Sequence, residues 1–409
     1  MGVVPLSLRH LKAVHHVVRL QSVSRAAGFL KRSQSAITMA IDEIERLLEV
    51  PLFNRVGRGI EPTVYATVLD NRIGLAMDEF SQVARIYARL PGKKSATKSN
   101  PVFNMDISYK RFAALLALDS HSSVALAARA LNISEAAVHK SINELESQLS
   151  LKLFERGTYA TQSTPFCLEL VRHVRLAFSH LRHAIDELAA VDGVTQGQIA
   201  VGMLPYSRPI LLPRAISRLT SEYPQLNIST REGTYANLEL PLMSGELDLI
   251  VGATRPRKLN PALKNEALFQ DELSLVVRAD HPLAGKKRLD LQGLETFGWV
   301  LPARETPARQ LFERYLANHK VAAPVNYIET SSLTMLRGLL LESDRLALIS
   351  EHLVKLEVER GILAVLPTRL RETSRPIGVI TRNVSSQAPG LEYLLAHLRS
   401  AARDIDFRT

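Results

Sequence analysis

Apolar positions in the first sixty residues recur three and four apart in short runs, which is helical spacing. Leu11, Val14, Val17 and Val18 mark one face of a helix over Leu8–Gln21. A second, shorter helix is expected over Val23–Leu30, where the Ala26–Ala27 pair lets two helices cross closely. Ser33 fits an N-cap, and Ile37, Ile41, Ile44, Leu47 and Leu48 follow at helical period. Pro51-Leu52-Phe53 then supplies a buried anchor before a short basic wing with Arg55, Gly57, Arg58 and Gly59. Thr63–Leu90 reads as a long helix stepping through Ile73, Met77, Phe80, Ala84 and Tyr87. Pro91-Gly92 closes it, and Lys93–Pro101 is a polar linker.

The same pattern then occurs again. A shift of 101 positions carries Ser33 onto Ser134, Ala36 onto Ala137, Ile41 onto Ile142, Glu43 onto Glu144 and Glu45 onto Glu146. Leu52, Phe53 and Arg55 land on Leu153, Phe154 and Arg156, and the register holds without a gap from about Leu8 to Thr63. This is a duplicated domain. Its exit helix, Pro165–Val191, sets Val171, Val174, Phe178, Leu181, Ile185 and Leu188 in three-four alternation. That spacing predicts a coiled-coil seam between two copies of the chain, the plainer alternative being one apolar face packed on its own domain.

Beyond a hinge at Asp192–Gly197 the periodicity changes. Strand-like runs at Gln198–Gly202, Leu226–Glu232 and Leu247–Gly252 alternate with helices at Leu211–Tyr223 and Asn237–Met243. Leu273–Val277 leads into a second such unit from Phe297 to about Leu366, Ile377–Thr381 returns, and a final helix covers Gly390–Ala402. Strands alternating with helices imply a parallel sheet with right-handed crossovers.

The run of Ala-Ala, Ser-Gln-Ser-Ala-Ile-Thr, Ile-Asp-Glu-Ile-Glu and Pro-Leu-Phe-Asn-Arg resembles the winged helix-turn-helix of LysR-type transcriptional regulators. Gly-Glu-Leu-Asp-Leu-Ile at 245–250 and the His281-Pro282-Leu283 step are similar to the effector domain of that family. The resemblance covers nearly the whole chain and departs in the duplication. It implies a tandem α-helical winged helix-turn-helix joined to a two-lobed α/β effector-binding domain, similar to periplasmic binding proteins. The expected domains are 1–92, a linker at 93–104, 105–192, and 196–409. Lobe I would take about 196–274 and 377–409, lobe II about 275–376, with crossovers near Leu275 and Pro376.

Charge sharpens this picture. The net charge of +10 suits a polyanion partner, double-stranded DNA under this reading. The excess sits in the first repeat, where residues 1–94 hold 14 Lys and Arg against 8 acids; residues 95–190 hold 10 against 9. Cys167 is the single cysteine, so no internal disulfide or cysteine-based metal framework is available, and a buried thiol is expected. No uninterrupted apolar run approaches about 18 residues and no signal-type start is present, which reads as a cytoplasmic protein without membrane contact.

The candidate chemistry follows. Gln34, Ser35 and Thr38 open the recognition helix and are suited to base edges; Ser33, the N-cap, is counted with them among the DNA-binding residues, and Arg32, Arg55 and Arg58 are suited to phosphates. In the second repeat Glu135, Ala136 and His139 replace Gln34, Ser35 and Thr38, Lys140 partly compensates, and Thr158-Tyr159-Ala160 replaces the basic wing. That predicts a retained fold with weakened or altered DNA contact. For a small-molecule effector, hydroxyls opening helices after strands point to Ser207, Thr234 and Ser331 or Ser332, with Arg255 as a second clamp. Helix N-termini at a crevice favour an anion, and the matching family positions line the effector cleft. His173, His180 and His183 share a helix but occupy outward positions in the frame of the seam, so a solvated face is expected rather than a metal site. No P-loop, dinucleotide fingerprint or Ser-His-Asp order appears, so neither an enzyme nor a cofactor is implied. The reading is a ligand-responsive regulator, a homodimer or homotetramer. Its rivals are a solute-sequestering protein using the helix-turn-helix units only for assembly, and an enzyme using the cleft.

Overall fold

The computed structural model describes residues 6–56, 59–94, 97, 100–157, 160–204, 211–254, 260–368, 370–384 and 387–404. It divides into two units, Met1–Gly197 with Ser244–Glu246, and Gln198–Met243 with Leu247–Thr409.

In the first unit α1 (Leu8–Leu20), α2 (Val23–Leu30) and α3 (Gln34–Leu48) lead into a hairpin of β1 (Phe53–Val56) and β2 (Gly59–Pro62), then α4 (Val64–Ala88). The order recurs as α5 (Tyr109–His121), α6 (Val124–Leu131), α7 (Glu135–Leu149), β3 (Phe154–Arg156), β4 (Thr161–Ser163) and α8 (Pro165–Val191). The signals that start and stop these helices recur at the same offset. Ser22, Ser33 and Thr63 cap α2, α3 and α4 through their side-chain oxygens, and Ser123, Ser134 and Thr164 do the same for α6, α7 and α8. Left-handed residues at Gln21, Lys31 and Glu49 are matched at Ser122, Asn132 and Ser150. Each non-glycine residue there costs on the order of 1–2 kcal/mol, which the sharp corners between helices require.

Glu45 Oε1 accepts from Leu52 N at 2.6 Å and Phe53 N at 3.2 Å; Glu146 Oε1 accepts from Leu153 N at 2.9 Å and Phe154 N at 3.4 Å. The repeated glutamate thus fixes the chain where it turns from recognition helix into wing. The expected linker is corrected from Asn100 onward. Val102, Phe103, Met105 and Ile107 are buried, and Asn100 Nδ2 donates to Gln148 O at 2.9 Å. Four apolar side chains in six residues fold this segment onto the core instead of leaving it as a spacer.

The long helices α4 and α8 pack against each other within one chain, antiparallel. Tyr65 meets Asp192, Arg72 meets Glu187, Glu79 meets His173 and Tyr87 meets Phe166, so numbers rise along one helix as they fall along the other. One hydrophobic core runs through both repeats, from Leu6 to Ala184. This corrects the expected seam between copies. Val171, Val174, Phe178, Leu181 and Leu188 are buried in the single chain and Ile185 is half-buried. Phe178 stacks on Tyr109 at 4.9 Å and meets Phe112 edge-on at 6.0 Å. The face is covered within the chain: α4 lies along α8, and α5 of the same repeat covers Phe178, as in the plainer alternative of a face packed on its own domain. The same packing corrects the histidine reading: His173, His180 and His183 are 1%, 8% and 5% exposed, because α8 is covered on most of its circumference.

The second unit has two lobes. Lobe I contains β5 (Gly197–Met203), α9 (Leu211–Glu222), β6 (Leu226–Glu232), α10 (Tyr235–Met243), β7 (Leu249–Ala253) and β8 (Leu263–Asp271). Lobe II contains β9 (Leu273–Arg278), β10 (Trp299–Leu301), α11 (Pro307–Asn318), β11 (Tyr327–Glu329), α12 (Leu333–Leu341), β12 (Leu346–Ser350), α13 (Lys355–Glu359) and β13 (Leu363–Val365). The chain returns through β14 (Arg375–Arg382) to α14 (Pro389–Arg403) on lobe I. The sheets run β6-β5-β7-β14-β8 and β11-β10-β12-β9-β13.

Both sheets are mixed, not wholly parallel. β14 is antiparallel to β7 and β8, and β9 is antiparallel to β12 and β13. The exceptions are the strands adjoining the crossovers. The first crossover falls at Glu272, between β8 and β9, and the second lies between the end of β13 at Val365 and the start of β14 at Arg375, ahead of the positions expected at Leu275 and Pro376.

Candidate nucleic-acid interface and ligand cavity

The polar face of α3 is presented by a buried back. Ile37, Ile41 and Ile44 are 5% exposed or less, which fixes the rotation of the helix. Arg32, Ser33, Gln34 and Ser35 are exposed and Thr38 is half-buried. Ser33 Oγ accepts from Ala36 N at 3.1 Å and lies 3.0 Å from Ser35 Oγ. Gln34 Nε2 donates to Ser24 Oγ on α2 at 3.2 Å, and Thr38 Oγ1 donates to Gln34 O at 3.1 Å. Arg55 is exposed on β1, and Arg58 lies outside the described residues. Met39, one turn beyond Ser35, is 71% exposed. Sequence reasoning passed over it because an apolar residue beside a buried stripe reads as core. Its exposure on the polar face suits contact with a thymine methyl.

At the equivalent positions of α7 stand Glu135, Ala136, His139 and Lys140, all exposed. The two recognition helices therefore share a scaffold, including the capping Ser33 and Ser134, and differ where Glu135, Ala136, His139 and Lys140 replace Gln34, Ser35, Thr38 and Met39. Cys167 is fully buried at the start of α8, where burial pushes its thiol pKa up to about 12. Among the described residues no group of three or more His, Cys, Asp or Glu is placed to hold a metal.

In the second unit a cavity of about 210 Å³ opens between the two lobes. Thr234 and Ser331 line it, from the starts of α10 and the turn before α12. Ser332 is exposed and caps α12, accepting from Met335 N at 3.2 Å. Ser207 and Arg255 lie outside the described residues. Two lining residues escaped sequence reasoning. Thr306 caps α11, so two helix N-termini face one space. Arg375, the first residue of β14, is 6% exposed and has no hydrogen-bond partner for Nη1.

Arg375 Nη2 lies 2.8 Å from Asp271 Oδ2, and the two residues are register partners at the ends of β14 and β8. They tie the two crossovers together. Ser350 Oγ and His352 Nδ1, the latter at 3.2 Å, close on the same carboxylate. Burial lowers the pKa of both Arg375 and His352, while Asp271 works in the opposite direction on each. The lining thus offers a buried guanidinium N–H without a partner and the starts of two helices, groups that can donate to an acceptor. The available sequence signal was a charged residue directly before Pro376, at the predicted crossover. The rest of the lining is largely apolar, with Leu204, Tyr235, Pro307 and Ile377. Of the two carboxylates at the rim, Glu239 accepts from Tyr235 Oη at 3.1 Å, and Glu305 is exposed.

Comparison with known proteins follows the same division. The family model described as the LysR substrate binding domain matches residues 192–403. The one described as the bacterial regulatory helix-turn-helix protein, lysR family, matches twice, at 8–67 and 109–167. The chain is 33% identical over 393 residues to the HTH-type transcriptional regulator GalR of Pseudomonas putida, covering 96% of each protein. It is 30% identical over 305 residues to PcaQ of Agrobacterium fabrum, covering 98% of PcaQ but 74% of this chain. The uncovered quarter is about the size of one repeat. Among solved structures, full-length CbnR complexed with its target DNA matches 72% of this chain and all of that one, at 18% identity and a TM-score of 0.54. A full-length OxyR variant from Pseudomonas aeruginosa matches 71% and 96%, at 20% identity and a TM-score of 0.51. These likenesses support the fold.

Proposed function

The chain belongs to the LysR family of transcriptional regulators, and from that premise we propose how it reads DNA and what it senses. It binds DNA and responds to a small molecule through its two-lobed domain. In our reading α3 meets base edges through Gln34, Ser35, Thr38 and Met39, while Arg32, Arg55 and Arg58 hold phosphates. The work is regulatory rather than catalytic, and belongs in the cytoplasm, where the DNA is. No helix of the described residues is long and apolar enough to cross a membrane. Self-association into a homodimer or homotetramer would use surfaces other than the α4–α8 contact.

The effector in this reading is a small organic anion with an apolar body. The observation that carries it is the buried Arg375 Nη1 without a partner in an otherwise largely apolar cavity. A carboxylate there would accept from Nη1 and from the starts of α10 and α11, next to Thr234, Thr306 and Ser331. Because Nη2 already holds Asp271 across the two crossovers, ligand on Nη1 adds stabilisation to one particular arrangement of the lobes. That differential affinity is what an effector needs to shift an equilibrium.

A thermal-shift screen of small carboxylates tests this. At about 100 times its dissociation constant a ligand stabilises the fold by about 2.7 kcal/mol. Thr234→Val and Arg375→Lys should each abolish that stabilisation, Arg375→Lys keeping the charge and losing the fork. An effector that still shifts both variants fully would show that it binds elsewhere.

A further inference from the structure

The pairing of α4 with α8 bears on how many DNA sites one chain can read. Equivalent helices packed antiparallel, each carrying an equivalent winged unit at its start, are related by an approximate two-fold axis. Met77 and Phe178 are equivalent positions and lie near its middle. The ring of Tyr87 is 5.5 Å from that of Phe166, so the start of α8 lies beside the end of α4. Tyr65, at the start of α4, hydrogen-bonds Asp192 just past the end of α8, with Oη 2.5 Å from Oδ1. Tyr65 and Tyr87 are separated by roughly 33 Å of helix at 1.5 Å per residue. Each wing runs directly into its long helix, β2 into α4 and β4 into α8. The winged units are thus anchored about one turn of B-DNA apart, 34–36 Å.

We propose that each chain is by itself a two-headed DNA-binding unit, in which α3 and α7 read two unlike half-sites one helical turn apart. This rests on the regulator reading above. The contact is built for unlike helices: Arg72 Nε donates to Glu187 Oε2 at 2.9 Å and Nη2 binds the other oxygen. The residue of α4 matching Glu187 is Ile86, and the residue of α8 matching Arg72 is His173, so this bidentate pair exists only where α4 meets α8. The covalent link and the shared core add a high effective concentration, so a second chain is not needed to complete the pair.

The half-sites differ because the reading faces do. Gln34 and Met39 match adenine and the thymine methyl, whereas Glu135 accepts from cytosine N4 and Lys140 donates to guanine. The α3 half-site is A·T-rich and the α7 half-site G·C-rich. The lower positive charge of the second repeat makes α7 a contributor to sequence choice more than to affinity.

Two experiments on the full-length chain test this. Selection from random DNA should return two unlike blocks with centres about 10 base pairs apart. Glu135→Gln should lower discrimination on the order of five-fold or more at one C·G pair in one block, and Gln34→Ala should alter only the other block. Two identical inverted blocks, both altered by Gln34→Ala and neither by Glu135→Gln, would overturn the proposal. The second experiment reads the pairing without DNA. Tyr65→Cys with Asp192→Cys, bridged by a short bis-maleimide, should give a product of single-chain mass whose yield is unchanged over a hundred-fold dilution. The native Cys167 is fully buried. A product of two-chain mass that disappears on dilution would overturn the proposal. An internal crosslink in a chain that selects no sequence would fault the regulator reading instead.

Discussion

At the scale of single residues, the repeated glutamate shows how much one side chain fixes. Glu45 and Glu146 each accept two backbone N–H groups at the turn into a wing, at positions where water is partly excluded. Glu45→Ala leaves those donors without a partner and should cost about 1–3 kcal/mol in urea denaturation, with Glu45→Gln recovering part of it. No loss in the alanine variant would mean that water satisfies the turn equally well. The duplication was legible because such residues recur at a fixed offset. Arg375 and Thr306 were less legible: nothing local marks a residue as facing a space made by segments about seventy residues apart. Arg375 is set apart by its burial and by an N–H that Asp271 does not reach.

At the scale of elements, periodicity located α3, α4 and α8 well, since each buries an apolar stripe. It could not say what covers the stripe. The spacing of Val174, Phe178 and Leu181 fits a helix of a second copy and a helix of the same chain equally, and the choice is made by tertiary packing within the chain, where α4 lies along α8 and α5 meets Phe178. The mixed direction of the sheets was hidden for a related reason, because a strand's composition carries no record of its partner's direction. The buried pair at the α4–α8 contact gives this scale its prediction. Arg72 is 2% exposed and Glu187 18%. Arg72→Ala leaves a carboxylate largely buried and unpaired, and should cost about 3–5 kcal/mol. Arg72→Met with Glu187→Leu should recover most of that loss in the same denaturation experiment. If the single variant is as stable as the parent, the pair is not what holds these helices in register.

At the scale of the whole molecule, two kinds of domain are joined, one presenting polar side chains on rigid helices and one enclosing a cavity lined by an ion-paired guanidinium with one N–H left without a partner. The fold class and the order of domains were legible from pattern and resemblance. The self-sufficiency of the tandem domain was not, because it follows from which surfaces meet. The measurement that bears most directly on the central claim is an equilibrium titration of the full-length protein. It uses DNA from upstream of its own reading frame against random DNA of equal length, at several salt concentrations. Binding to the upstream DNA should be tighter, with the logarithm of affinity falling linearly in the logarithm of salt concentration. Gln34→Ala should lose about 1–3 kcal/mol at one base position. Arg55→Ala should weaken binding to every sequence and lower the salt slope by about 1. Equal affinity for upstream and random DNA, unchanged by Gln34→Ala, would contradict the claim.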